Sequence, residues 1–248
     1  MPENESSYAA PANQLLAFLP QDEYQHLVPH LERVSLSLGQ VLYEPGEMIE
    51  YVYFPKQAAV SLVSLLENGS TTEVGMVGKE GIVGYPVFLG GSSTTHRAIV
   101  QIAGTAVKIN AKVLKTEFSR GGVLQKLLLL YIQALLTQIS QTAVCNRHHS
   151  LEERLVRWLL TAQDCVPSKE LCLTQEFIAN MLGTRRPGVT VAAGRLQQAG
   201  IISYSRGKII VLKREALEEA ACECYGTVKR EFNRLFALYL ECRFEDSR

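Results

Sequence analysis

A chain of 248 residues that is 47% hydrophobic can bury one large core or two ordinary ones, which excludes a disordered protein. The formal net charge is zero, with 25 basic and 25 acidic residues, so the whole-molecule field points to no partner and the charge has to be read locally. Residues 1–110 hold five Lys or Arg against eleven Asp or Glu, whereas residues 177–214 hold seven basic residues and no acid, the footprint expected of a surface that meets phosphates.

Taken in chain order, Met1 to Ser7 is acidic and polar, without the basic start and apolar core of a secretory signal. The longest apolar run, Leu127 to Ile132, is too short to cross a bilayer. A cytoplasmic protein with no membrane partner is expected. From about Leu36 to Ile109 short β segments alternate with glycine turns: Tyr51 to Phe54, Ala58 to Leu66, Thr71 to Val77, Arg97 to Ile102 and Ala106 to Ile109. The turns between them, such as Asn68-Gly69 and Gly90-Gly91, supply the positive-φ positions that hairpins need. Many short strands at this spacing predict an antiparallel barrel or double-sheet roll.

Gly121-Gly122 closes that region, and Val123 to about Asn146 then runs without Gly or Pro through good helix formers. The first half of this helix is apolar nearly all round, where a helix on one surface would show a single stripe. Two buried faces are expected, one against the β region and one against the same helix of a second subunit, with Leu124, Leu127, Leu128, Tyr131 and Leu135 as its apolar contacts. The alternative is a central helix buried within one chain. Ser150-Leu151-Glu152-Glu153 is a capping box, which starts a new helix and puts a boundary near His149. Leu151, Leu155, Trp158, Leu159 and Ala162 follow at the spacing of a core face.

Thr174 is a good N-cap for a helix through Phe177, Ile178, Ala179, Met181 and Leu182 that stops at Gly183. A second helix runs from about Arg186 through Val189 and Leu196 to Gly200, with Pro187 in its first turn, where a missing N–H costs nothing. This is helix-turn-helix spacing. It places Thr184, Arg185 and Arg186 where a recognition helix meets base edges and phosphates, with Thr190 and Arg195 farther along and Thr174 at the head of the first helix as further DNA contacts. Ile201 to Tyr204 and Ile209 to Leu212 then flank Ser205-Arg206-Gly207-Lys208, a hairpin that makes a wing with Arg206 and Lys208 on sugar-phosphate. The bland alternative, a structural helical hairpin followed by a strand pair, leaves the seven-to-zero charge bias unexplained.

Other chemistry is sparse. No dinucleotide fingerprint, P-loop, H-E-x-x-H or G-x-S-x-G occurs, so an enzyme is not expected. Six cysteines, Cys145, Cys165, Cys172, Cys222, Cys224 and Cys242, form no C-x-x-C pair, and Cys222-Glu223-Cys224 is tighter than usual zinc or redox spacing. Reduced structural thiols are expected. His26 and His30, four apart, and adjacent His148 and His149 read as surface residues, and no metal site is expected.

The run Leu173 to Arg186, followed by Val189, Leu196, Gly200-Ile201-Ile202 and the Arg206-Gly207 hairpin, resembles the DNA-binding half of the Crp/Fnr family of transcription regulators. The glycine-punctuated β region resembles that family's cyclic-nucleotide-binding roll, and Val123 to Asn146 its dimer helix. The resemblance implies a homodimer on a pseudo-palindromic duplex, RNA polymerase as a further partner, and Arg186 as the base-reading arginine. Pro187 and Val191 stand where the cyclic AMP receptor branch carries an acidic residue and a second Arg, which implies a different target sequence. Gly84-Tyr85 and Thr94-Thr95 stand where cyclic AMP binders carry Gly-Glu and Arg-Ser, so both pocket charges are missing, with Arg97 nearby as a substitute cation. A buried cyclic phosphate without a cation is costly, so cyclic AMP binding is not expected, and whether another effector exists is left open. No cysteine precedes Cys145, which excludes the amino-terminal iron–sulfur cluster of the oxygen-sensing branch.

The expected fold class is α+β: an antiparallel jelly-roll-like β-roll over 1–120, a dimerisation helix over 121–148 and a winged helix-turn-helix domain with a C-terminal helix over 149–248. The competing functional class is a ligand-binding signalling module acting through protein contacts.

Overall fold

The computed structural model describes residues 12–166 and 168–245, without side chains from 238 onward; the reading of Met1 to Ser7 and the side chain of Cys242 lie outside the described residues. Two short helices, α1 (Gln14–Ala17) and α2 (Gln21–Leu27), lead into β1 (Glu32–Leu36) and β2 (Val41–Tyr43). Five more strands follow: β3 (Tyr51–Pro55), β4 (Ala59–Leu65), β5 (Thr71–Val77), β6 (His96–Ile102) and β7 (Gly104–Asn110). They form two antiparallel sheets, ordered β1-β7-β3 and β2-β6-β4-β5. Alternation along the strands turns Val52, Phe54, Val60, Leu62, Ala98, Val100 and Ile109 into a common buried core.

Beyond α3 (Ala111–Ser119) comes α4 (Gly122–His148), the helix expected from the Gly/Pro-free run. Its head is held in trans: the Glu23 carboxylate of α2 accepts from the backbone N–H of Val123 at 2.9 Å and of Leu124 at 2.8 Å. A side chain at Gly122 would collide with that carboxylate, so glycine is what admits the cap. Leu124, Leu127, Leu128, Tyr131 and Leu135 are buried in the roll's own core. The expectation that they meet a second subunit is therefore corrected: their faces are covered within the chain. By length and mean hydropathy α4 is apolar enough to span a membrane, but its apolar face is core here.

The second half contains α5 (Leu151–Cys165), β8 (Glu170–Cys172), α6 (Gln175–Met181), α7 (Arg186–Gln198), β9 (Ile202–Ser205), β10 (Lys208–Val211), α8 (Arg214–Glu219) and α9 (Glu223–Glu245). The capping box forms as read: Ser150 Oγ takes the Glu153 N–H and the Glu153 carboxylate takes the Ser150 N–H at 2.8 Å. Its core centres on fully buried Trp158 and includes Leu155, Leu159, Ile178, Val189, Leu196, Ile202 and Ile209. Two features tie the halves together. Ala59, Val63 and Met76 of the roll belong to the Trp158 core, and α9 folds back along α4, setting Phe232 and Phe236 beside Tyr131 and Phe18.

Glu73 on β5 lies buried in that joint. Ser61 Oγ donates to its carboxyl at 2.5 Å. Desolvation nonetheless dominates over the Ser61 bond, the Arg157 charge and the Trp158 indole, and lifts its pKa from 4.5 to about 7. A raised carboxyl pKa means the native state binds the proton more tightly than the unfolded state. The stability linked to that proton is thus complete below about pH 4.5 and is lost as pH rises through about 7. Glu73→Gln, which cannot ionise, should remove this loss and be more stable than wild type by about 3 kcal/mol at pH 8. Urea unfolding at pH 5 and pH 8 checks it; parallel pH profiles for the two proteins would contradict the assignment.

Candidate nucleic-acid interface

The helix-turn-helix is assembled by short-range chemistry. Thr174 caps α6, its hydroxyl accepting the Phe177 N–H at 3.2 Å. The turn closes at Gly183, whose φ of +59° is a left-handed conformation that suits glycine, and the Thr184 N–H reaches back to the Ala179 carbonyl at 2.9 Å. Buried Ala179, Val189, Ala192 and Leu196 pack α6 against α7. Gly188 permits α7 to lie on α5, since any Cβ there would meet Leu151 at 2.7 Å. The wing turn places Arg206 (φ +50°) and Gly207 (φ +77°) as its two central residues, the I′ geometry that fits the twist of a hairpin. Three bonds fix the wing to α7 and to the link that precedes α6. Leu173 N–H donates to the Gly207 carbonyl at 2.7 Å, the Tyr204 hydroxyl donates to the Leu173 carbonyl at 2.9 Å, and the Tyr204 N–H donates to Gln197 Oε1 at 2.8 Å.

On this frame Arg185 and Arg186 are exposed at the head of α7, a 13-residue helix with no acid in its first turn. Among the described residues neither makes an ion pair, and the same holds for Arg206 at the wing tip. Arg185 and Arg186 therefore reinforce the positive end of α7, the electrostatic requirement for holding phosphate. Thr174 sits beside the wing, its methyl 3.6 Å from the place of a Cβ on Gly207. Thr184 is half-buried in the turn.

Two of the cations read as DNA contacts are paired in the fold. Acids from outside the basic segment come back alongside it: Lys208 Nζ is paired with Glu170 at 2.7 Å and Arg195 with Glu152 at 3.3 Å. Arg214 is likewise occupied, bridging Asp164, Glu218 and the Tyr225 hydroxyl, which makes it a staple between α5, α8 and α9. Gln175 was missed from the sequence. Its Oε1 accepts from the Thr190 hydroxyl at 2.7 Å, linking the first residue of α6 to the exposed face of α7. Polarity alone did not mark it, because its role comes from the crossing of the two helices.

Two of the residues read as an effector pocket are engaged with other side chains. Arg97 Nε is bonded to Glu44 at 2.7 Å, and the Thr94 hydroxyl lies 3.3 Å from His96. Gly84 packs on Val52, Tyr85 is half-buried and Thr95 is exposed. A cavity of about 440 Å³ opens on the roll between Ile49, Tyr51, Val87, Asn110, Lys112 and Lys115, with Ile49 in reach of Gly84.

Residues 33–120 match the family model of the cyclic nucleotide-binding domain and residues 153–220 that of the Crp-like helix-turn-helix domain. The chain is 26% identical over 193 residues to the global nitrogen regulator of Synechococcus elongatus, covering 73% of this chain and 86% of that one. Its identity to the global nitrogen regulator of Synechocystis sp. is 27% over 191 residues, 73% of this chain and 84% of that one. Among solved structures, FixK2 from Bradyrhizobium japonicum aligns with a TM-score of 0.66 at 18% identity, over 77% of this chain and 98% of that one. A Crp/Fnr-family transcriptional regulator from Eubacterium rectale aligns at 0.65 and 18% identity, over 84% and 98%. At such identities the structural likeness is one of fold. A cyclic-nucleotide-binding-type roll joined by a long helix to a winged helix-turn-helix defines a DNA-binding transcription regulator. This chain is a member of the Crp/Fnr family of such regulators.

The ion pairs separate the roles of the cations. Arg186→Ala should cost about 1–3 kcal/mol of discrimination at one base position. Arg206→Ala should weaken all duplexes alike and lower the salt slope by about one. Lys208→Ala should cost less than Arg206→Ala, because wild-type Lys208 must first leave Glu170. Anisotropy titrations on matched and mismatched duplexes at several salt concentrations read all three; a larger loss from Lys208→Ala than from Arg206→Ala would refute the ranking.

Proposed function

We propose that this regulator acts as a homodimer that reads a pseudo-palindromic operator with the head of α7 from each copy. The observation that carries the reading is the set of three exposed arginines with no ion pair among the described residues, Arg185 and Arg186 at an acid-free helix N-terminus and Arg206 at the tip of the wing. In a two-fold assembly the two helices meet half-sites about 34 Å apart, one turn of DNA. Support for self-association comes from α4. With one side on the roll and another under α9, it still exposes Leu129, Leu136, Ala143 and Val144, at near-heptad spacing. These residues, and not the buried five, form the face for a second copy.

The regulating signal is proposed to be something other than cyclic AMP. The candidate cation Arg97 is committed to Glu44, and Thr94 and Thr95 carry no charge to replace it. Movement of the reading head is the route for such a signal. The turn at Gly183 rests against Thr72 of β5, so a ligand that favours one seating of that contact shifts the population of binding-competent heads.

Selection of bound duplex from a random pool at near-physiological salt, with and without cyclic AMP, tests the reading and should return a palindrome. The double variant Leu129→Glu/Leu136→Glu should sediment as a monomer and lose about 100-fold or more in operator affinity, since the second head no longer benefits from the first. Identical sedimentation of variant and wild type would eliminate α4 as the dimer face, and a pool without enrichment would eliminate the regulator mechanism.

A further inference from the structure

The fold gathers four side chains that lie up to 79 positions apart in sequence. Cys145 ends the buried face of α4, His149 follows it in the link to α5, and Cys222 and Cys224 flank the start of α9. Their ligand atoms, three Sγ and one imidazole nitrogen, all lie within 4.8 Å of one another. We propose that this Cys145–His149–Cys222–Cys224 cluster is a structural binding site for a single thiophilic divalent cation, zinc foremost, that clamps α4, α5 and α9 together.

The spacing is that of one tetrahedral ion. With Zn–S near 2.3 Å and Zn–N near 2.0–2.1 Å, neighbouring ligands stand about 3.8 Å apart for two sulfurs and about 3.6 Å for sulfur and nitrogen. Cys145 Sγ and Cys222 Sγ are 3.7 Å apart, and Cys224 Sγ and His149 Nδ1 are 3.4 Å apart. A multi-iron cluster would hold its ligands farther from one another. A disulfide between Cys145 and Cys222 requires closure to about 2.05 Å and leaves the approach of His149 to Cys224 without a purpose.

The surroundings also suit an ion. His149 turns Nδ1 inward while its Nε2 sits 3.2 Å from the Glu223 carboxylate, the arrangement that orients a ligating imidazole and raises its basicity. Arg157 Nε donates to Cys145 Sγ and Gln141 Nε2 to Cys224 Sγ, each at 3.2 Å, as thiolates require. Three thiolates and one divalent cation leave one net negative charge, which the buried guanidinium of Arg157 balances. Four protein ligands close the shell, so the role is structural, and binding at neutral pH expels the protons still held by the three thiols. The sequence expectation of reduced structural thiols without a metal and of a surface His149 is replaced by this proposal. Cys145 and Cys224 are fully buried, and the His149 side chain is only 14% exposed.

The test uses the full-length chain purified under reducing conditions, with metal measured by inductively coupled plasma mass spectrometry. One zinc per chain is expected, retained in Cys172→Ser, whose cysteine is exposed and outside the cluster, and lost in Cys222→Ser and in His149→Gln. Cobalt added to the chelator-stripped protein should saturate at one equivalent, with thiolate charge-transfer and tetrahedral d–d absorption. Should the ligand variants misfold, Glu223→Gln serves instead: its carboxylate is largely exposed, and it should bind cobalt about 10–100-fold more weakly with unchanged secondary structure. The proposal is overturned if reduced protein takes up neither metal, if uptake is unaltered in Cys222→Ser and Glu223→Gln, or if peptide mapping finds a Cys145–Cys222 disulfide and reduction restores no binding. None of these readouts involves DNA, so failure here is distinguishable from failure of the regulator reading.

Discussion

Burial of α4 is the constraint on which the architecture rests. A helix with Leu at four consecutive positions cannot present a polar side to water, so it must be enclosed by separate elements. The roll takes Leu124, Leu127, Leu128, Tyr131 and Leu135, and α9 takes another side through Phe232 and Phe236. What stays open is the narrow strip of Leu129, Leu136, Ala143 and Val144. Apolar surface of that shape is too small to be a fold's main core and well suited to a two-fold contact.

The same helix positions the reading head. Its end passes through His149 into the Ser150 cap, and α5 then carries Trp158 into a core shared by both halves of the chain. Because Ala59, Val63 and Met76 of the roll enter that core, the helix-turn-helix is seated on the sheet and is not tethered loosely by a linker. Arg154 strengthens the seating from within by donating to the Leu182 carbonyl at the end of α6. A sensor that changes the packing of β4 and β5 thus acts on the reading head directly, with no relay through solvent.

The sequence carried local rules well and long-range ones poorly. Caps at Ser150 and Thr174, the stop at Gly183 and the Arg206-Gly207 turn depend on neighbours within about four residues, and each formed where its residues stood. Strand β1 was missed because it opens on charged Glu32-Arg33 and is largely exposed, so only the short stretch Val34-Ser35-Leu36 shows the alternation of a strand. Charge showed the opposite failure: an acid-free segment in sequence met Glu152 and Glu170 in space, which removed Arg195 and Lys208 from the free cations. The cysteine cluster was invisible for the same reason. Cys222-Glu223-Cys224 is too tight to read as a zinc pattern alone, and its completing ligands lie over 70 residues upstream.

Arg157 links these joints into one electrostatic unit. Its guanidinium is buried between the Cys145 sulfur and the region of Glu73, so the two acidic neighbours draw on a single positive charge. When the sulfur side carries net negative charge, Arg157 is balanced there, and ionised Glu73 would be a buried anion with little to offset its desolvation. Neutral thiols would leave more of the guanidinium's charge to Glu73 and so lessen, without removing, the rise that burial imposes on its pKa. The protonation of a carboxyl in the roll and the state of the thiols beside α9 are therefore not independent. The seat of the reading head lies between them, which makes this the place where a change at either end is felt by α6 and α7.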